Sequence, residues 1–371
     1  MPRLVRAGLL VCAALAISAG VRSSAEIRPP APAKRLVAVG DIHGDLDAFI
    51  AILQRASLID ANQKWSGGAA TLVQVGDMID RGPKSHAVLD FVMALQKDAR
   101  RQDGHVIVLL GNHEAMNLYG DLRYVTPGDY ASYTDAGSAR RQEDAYTQYA
   151  AVYGAPASRD AWMAEHPPGF VEQRQAFGPD GKYGKWLRTL PAVARVDDSL
   201  FLHGGISTEL TTWTVDRINE TVAHEIKTFD DTRQVLIDAK VALPFSTENE
   251  VLAAARAVAT RRPDIVKDLL GMDDWLTVSD TGPLWFRGLA RDPDADMEPL
   301  ATRITDAFGV ARIVIGHTTQ PGKIVQRFDG KVCLIDTGML KGYIEGGRAS
   351  ALEIQDGHVR AIYPDGVETL K

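Results

Sequence analysis

The chain has 371 residues, 45% hydrophobic and 24% charged, the make-up of a soluble globular protein with mass enough for one large core. Its formal charge is −7 and it has no long basic run, which argues against general binding to nucleic acid or to anionic membranes. Of its two cysteines, Cys12 and Cys333, the first lies in a leader-like segment, so a matured chain has no internal disulfide.

Residues 1–25 read as a secretory signal. Arg3 and Arg6 give a positive start, and Ala7–Ala19 is apolar but short for a bilayer span. Ser23-Ser24-Ala25 supplies small residues for cleavage. Val11 sits where a bacterial lipobox wants a small residue, so Cys12 is not read as a lipid anchor. The expectation is export to a periplasm, with no stable membrane association after cleavage. Residues 26–34 are a proline-rich linker, and one domain spans 35–371.

Three β-rich apolar runs follow, Arg35–Gly40, Ala70–Gly76 and His105–Gly111. Helical patterns at Leu46–Ala56 and Ser85–Arg100 separate them. Strand, loop and helix in this alternation predict parallel βαβ units, in which ligands bind beyond the carboxyl ends of the strands. Residues 115–190 lack strand runs and carry short helical stretches. A strand returns at Ser199–Leu202, and 207–270 is mostly helical again. Four more strands close the chain at Ala311–Ile315, Lys331–Ile335, Ala349–Ile354 and His358–Tyr363. The strands of both ends form one α/β domain, with largely helical insertions at about 115–190 and 207–270 over its site.

Every strand that ends in glycine is followed by a possible ligand. Asp41 and His43 stand in Gly40-Asp41-Ile42-His43-Gly44-Asp45, and alternation along an extended strand would point both at one ion. Asp77 follows Gly76, Asn112 and His113 follow Gly111, His203 precedes Gly204-Gly205, and His317 follows Gly316. Any one of these is a weak signal, since a lone Asp-x-His is ordinarily a solvated loop. Together they offer oxygen and imidazole donors without thiolate, a set suited to Mn, Fe or Zn. They are also too many for one ion. Two ions about 3.5–4 Å apart sharing a carboxylate would use them all.

GDIHGD, GDMIDRG, GNHE, LHGG and GHT, in that order over roughly residues 35–355, resemble the phosphoprotein phosphatases within the calcineurin-like metallophosphoesterases. The resemblance is closest to the Shewanella-like protein phosphatases. It implies a β-sandwich flanked by helices and a dinuclear centre of divalent or trivalent ions. By that resemblance Asp41 and His43 hold the first metal, Asp77 bridges, and Asn112, His203 and His317 complete the second. Thr319 stands where many relatives outside the phosphoprotein branch have a second histidine, so the first site is expected to be the weaker and wetter. His113 matches the general acid with Asp80 as its orienting partner. Arg81, Asn112 and Arg287 are expected to hold the phosphate. The eukaryotic branch carries a tyrosine-bearing loop near its C-terminus. The corresponding stretch here reads Ile335-Asp336-Thr337-Gly338-Met339, without the tyrosine.

The reaction this implies is hydrolysis of a phosphomonoester by a hydroxide bridging two ions, which lower the pKa of bound water. His113 then protonates the leaving group. The substrate is expected to be a phosphorylated protein, on Tyr or on Ser and Thr. The alternatives are a small phosphomonoester, as for a periplasmic nucleotidase or dinucleoside polyphosphate hydrolase, and a binding protein that kept the fold. Asp80-Arg81-Gly82 and the length of the chain favour the protein phosphatase. The other histidines, His86, His105, His166, His224 and His358, and the tryptophans Trp162, Trp186 and Trp213 are read as structural. Asp45 and Glu114 are expected to satisfy loop amides or to orient ligand histidines.

Overall fold

The structure, a computed structural model, describes residues 35–371; the signal expected at residues 1–25 and the linker expected at 26–34 lie outside the described residues. Eleven strands are described: β1 (Leu36–Val39), β2 (Thr71–Gln74), β3 (His105–Val108), β4 (Val193–Val196), β5 (Ser199–Leu202), β6 (Arg312–Ile315), β7 (Val325–Arg327), β8 (Val332–Leu334), β9 (Ala351–Gln355), β10 (His358–Tyr363) and β11 (Gly366–Thr369). They form a six-stranded sheet in the order β11-β10-β9-β1-β2-β3 and a five-stranded sheet in the order β4-β5-β6-β8-β7. The expected parallel units are present, β1 with β2 and β2 with β3. The C-terminal strands join the first sheet antiparallel, β9 pairing with β1.

The period-two alternation of side chains divides each central strand between two cores. Leu36 and Ala38 of β1 pack with Val73, Phe201, Val314, Cys333, Leu352 and Tyr363 between the sheets. Val37 and Val39 belong instead to the cluster containing Phe49, Ile52 and Leu53 of helix Leu46–Arg55 and Val88, Leu89 and Val92 of helix Ser85–Arg100. Burial on both faces is why β1 reads as an unbroken apolar run, and β2 and β5 are likewise buried at every position, their polar ends Thr71, Gln74 and Ser199 included. The result is a β-sandwich covered by helices, as expected.

Between β3 and β4 the chain is helical, from Asn112–Tyr119 to Lys182–Leu187, and between β5 and β6 the long helix Val215–Asp238 leads a second helical stretch. A small cluster of its own, Tyr130, Ala145, Trp162, Phe170, Leu243 and Phe245, ties the two insertions together. No helix among the described residues is long and apolar enough to cross a membrane.

Candidate metal centre

The carboxyl ends of β1, β2, β3, β5 and β6 meet at one place, and each delivers ligand-type side chains there. The backbone turns sharply to do so. His43, Asp77, Asp80, Arg81 and His317 all have positive φ, between 46° and 69°. Non-glycine residues rarely adopt that conformation, which costs about 1 kcal/mol or more each unless the surroundings impose it. His43 therefore reaches Asp41 through a left-handed turn and not through the extended alternation expected from the sequence. Ile42 and His43 both donate their amides to the Asp77 carbonyl, at 2.9 and 3.0 Å. Gly76 and Gly111 let the β2 and β3 loops touch, since a Cβ at Gly76 would fall 2.5 Å from the Gly111 nitrogen.

Each aspartate has one oxygen anchored and one free. Asp77 Oδ1 accepts the His113 amide and Asp41 Oδ1 the His317 amide, both at 3.0 Å. Asp77 Oδ2 then stands 3.2 Å from His203 Nε2 and 3.7 Å from His43 Nε2, and Asp41 Oδ2 lies 3.8 Å from His43 Nε2. The ring tautomers are set from behind. His203 Nδ1 donates to the Val75 carbonyl, His43 Nδ1 to the Ile79 carbonyl and His317 Nε2 to the Trp285 carbonyl, at 2.9, 2.9 and 3.1 Å. The lone pairs of His203 Nε2 and His317 Nδ1 consequently face each other at 3.1 Å, with Asn112 Oδ1 2.9 Å from the former.

Acceptors aimed at acceptors repel unless a positive charge lies among them. His203 expresses that demand as proton affinity: burial opposes protonation, but Asp77 and Asp41 outweigh it and raise the ring to about 9. Asp77 is held well below the usual carboxylate range, because His203 and His113 overcome its burial. Asp41 is raised by burial and by Asp336. His43 is lowered to about 3 by burial, with His113 and Arg81 adding to it. Two overlapping triplets, His43–Asp77–His113 and Asp77–His203–His317, have donor atoms within 4.8 Å of one another. Asp77 belongs to both. The donor set thus fits metal ions, with Asp77 common to both groups; the first group holds His113 where the sequence expectation has Asp41, whose Oδ2 lies 3.8 Å from His43 Nε2.

Beside the cluster, His113 is 1% exposed; its Nδ1 bonds Asp80 Oδ2 at 2.7 Å, and its Nε2 is buried 3.8 Å from Asp77 Oδ2, without a hydrogen-bond partner among the described residues. Arg81 Nη1 lies 2.5 Å from His43 Nε2, and its guanidinium stacks between Tyr124 and Tyr343, 5.1 and 4.7 Å from the ring centres. Arg287 Nη1 donates to the His317 carbonyl at 2.7 Å and lies 3.1 Å from Thr318 Oγ1.

The calcineurin-like phosphoesterase family profile matches residues 34–321. The chain is similar to Shewanella-like protein phosphatase 2 of Arabidopsis thaliana, 30% identical over 347 residues that cover 89% of this chain and 77% of the relative. It is similar to the same degree, 30% over 335 residues, to an uncharacterized protein of Schizosaccharomyces pombe, covering 88% of this chain and 80% of that one. The crystal structure of a cold-active protein-tyrosine phosphatase from a psychrophile Shewanella sp. superimposes with a TM-score of 0.62 at 26% identity, over 91% of this chain and 81% of that one. The chain belongs to the calcineurin-like phosphoesterases, with the Shewanella-like protein phosphatases. It is a metal-dependent phosphatase.

Every site residue singled out from the sequence lies in this one place in the phosphatase. Glu114 satisfies loop amides as expected, accepting from Gly111, Asp77 and Met78. Asp45 caps its helix at Ala48 and accepts the Lys341 amide at 3.1 Å. The stretch 335–339 has no tyrosine, but the loop continues to Tyr343, which lies 5.9 Å from the His43 ring and against Arg81. Reading only the five residues after β8 missed it. Tyr124, 4.9 Å from the His113 ring, was missed because it belongs to no motif. Asp336 was missed as well. It is buried and accepts from Thr319 Oγ1 at 2.6 Å and from the Gly338 amide at 3.0 Å. Thr319, where other relatives have a histidine, thus points to a carboxylate and not to the metal position.

Proposed function

We propose that the phosphatase is an exported two-metal phosphomonoesterase acting on phosphoproteins, with phosphotyrosine its preferred side chain. Asp41 and His43 would hold one ion, Asn112, His203 and His317 the other, and Asp77 both. The observation that carries this is the convergence of His203 Nε2 and His43 Nε2 on Asp77 Oδ2, at 3.2 and 3.7 Å, beside His113, whose Nε2 has no hydrogen-bond partner among the described residues. When bound, Mn, Fe or Zn ions would offset the charge of the phosphate dianion and activate water for in-line attack.

The remaining work falls to the chain's own side chains. Arg81 and Arg287 flank the cluster as cations for the phosphate oxygens, and Asn112, whose Nδ2 lies 3.7 Å from Met116 Sδ, would offer its remaining amide hydrogen to them. His113, turned by Asp80 so that Nε2 faces the site, delivers a proton to the departing oxygen. Tyr124 and Tyr343, 38% and 41% exposed at the rim, offer ring faces suited to an aromatic leaving group. The similarity to a protein-tyrosine phosphatase supports the same preference. The leader of residues 1–25 supports export to a periplasm.

The test is a panel of phosphotyrosine and phosphoserine peptides and of mononucleotides, assayed with metal-loaded protein. We expect the highest kcat/KM on phosphotyrosine peptides. Faster turnover of a nucleotide than of every phosphopeptide would overturn the proposal. Mass analysis of the protein from a secreting host should place the mature N-terminus near Glu26; a full-length chain would argue against export.

A further inference from the structure

The insertion helix Phe170–Phe177 buries Phe170, Gln173, Arg174 and Phe177, the i, i+3, i+4, i+7 stripe by which a helix faces a core. The outer two positions are aromatic, as such a stripe demands. The inner two are polar, and both reach the same residue. Gln173 Nε2 donates to Asn117 Oδ1 at 2.7 Å, and Arg174 Nη1 donates to the Asn117 carbonyl at 2.7 Å. Asn117, 1% exposed, lies one turn beyond His113 on helix Asn112–Tyr119. Its Nδ2 stands 3.0 Å from both oxygens of Asp80 and 3.0 Å from the His113 carbonyl.

The direction of this chain of bonds is dictated from its anionic end. An ionised Asp80 only accepts, so Asn117 must present its amide NH₂ to it. The Asn117 oxygen then faces away and needs a donor, which among the described residues the NH₂ of Gln173 supplies. Gln173 Oε1 is left over, buried and without a hydrogen-bond partner among the described residues. A buried polar group with an unmet acceptor is costly, and an apolar residue would fill the stripe at less expense. The arrangement persists at a point where its other end is His113.

We propose that Asn117 and Gln173 are positioning residues for the proton-donating histidine: Gln173 locks the Asn117 amide, and Asn117 locks the Asp80 carboxylate that aims His113 Nε2 at the leaving group. The inference rests on His113 being the proton donor, as proposed above. A flipped or absent Asn117 amide lets Asp80 rotate, and His113 loses its aim while the metal ligands keep theirs.

The test compares kcat and KM on phenyl phosphate and on p-nitrophenyl phosphate at saturating metal, with metal content measured for every variant. Phenol is the more basic leaving group and depends more on a donated proton. Asn117→Asp keeps the volume and replaces the donor with an acceptor. Gln173→Met keeps the volume without adding charge, and serves if the first variant does not fold. Expected are kcat losses of roughly 10–100-fold on phenyl phosphate, the range for losing an orienting partner. The losses on p-nitrophenyl phosphate should be much smaller, with KM and metal content unchanged. His113→Asn, run alongside, separates the failures. If it loses activity selectively on phenyl phosphate but Asn117→Asp and Gln173→Met do not, the positioning role is wrong and the proton donor stands. If His113→Asn loses equally on both esters, the donor assignment fails and this inference falls with it. A metal loss in Gln173→Met matching its activity loss would make the contact merely structural, which also overturns the proposal.

Discussion

Glu114 is the residue whose removal should most reveal how the bridging position is built. It is fully buried, and its carboxylate accepts three backbone amides from two loops: Gly111 at 2.9 Å and Asp77 at 2.8 Å on Oε2, and Met78 at 2.8 Å on Oε1. It thereby clamps the β2 loop, which carries Asp77, to the β3 loop, which carries Asn112. In Glu114→Gln the amide oxygen can keep the Oε2 pair, but the NH₂ then faces the Met78 N–H, leaving one donor unmet. One buried unmet donor costs about 1–3 kcal/mol. Part of that is offset, since burial and Asp77 already push the Glu114 carboxyl up to about 7, and the amide removes that like-charge conflict. Glu114→Ala strands all three donors and opens a cavity, for about 3–9 kcal/mol, against a typical total of about 5–15. Urea unfolding of ion-free protein reads the loss of stability, and elemental analysis across a metal titration reads the metal affinity. We expect Glu114→Gln to fold, to lose about 1–2 kcal/mol and to bind metal roughly 10–100-fold more weakly. Glu114→Ala should be largely unfolded. A Gln variant with wild-type stability and wild-type metal affinity would refute the clamp.

Asp77→Asn should reduce the occupancy of both ions together, because Asp77 Oδ2 faces His43 and His203 alike; two tightly held ions with full activity would refute the bridge. Asp129 is buried against Ser85, and burial, with Asp80 adding to it, raises its carboxyl to about 7. A carboxyl raised above its unfolded value near 3.9 makes folding take up a proton, so its contribution to stability falls as pH rises from about 4 to 7. Asp129→Asn should gain on the wild type across that window, by on the order of 4 kcal/mol at most, and a pH-independent difference in urea midpoints would contradict this. Burial pushes the Cys333 thiol up to about 11, so alkylation mapped by mass spectrometry should miss Cys333 in the native protein at pH 8 and find it after unfolding.

What the sequence displayed was the set of side chains at strand ends. Glycine-flanked Asp, Asn and His after apolar runs could be read as ligands because the run, the turn and the donor are neighbours in the chain. The parallel pairing of β1, β2 and β3 was equally visible, since each strand is followed by its helix. The pairing of β9 with β1, some 315 residues later, left no local trace. β4, β7 and β11 are short and only partly buried, so they had no apolar run to announce them. Nor could the left-handed turns at His43, Asp77 and His317 be read, because the contacts that impose them lie in other loops.

The supports of the site were hidden for a further reason: they come from the insertions, whose sequence carries no motif. Asp129, on helix Pro127–Ser132, bonds the Ser85 hydroxyl at 2.7 Å, and that hydroxyl accepts the Asp80 amide at 2.9 Å. Glu225, on helix Val215–Asp238, accepts the Leu276 and Thr277 amides at 2.8 and 3.0 Å. The Thr277 carbonyl holds the Trp285 indole at 3.0 Å, and the Trp285 carbonyl sets the His317 tautomer. The first insertion thus reaches His113 by way of Asp80, and the second reaches the His317 ring. A lid that only covered the site would need an apolar underside and nothing more. These helices instead place buried carboxylates and amides at bonding distance from the catalytic loops, and such groups carry a desolvation cost that packing alone does not repay. The sandwich therefore brings the donors together, and the insertions determine which way they point.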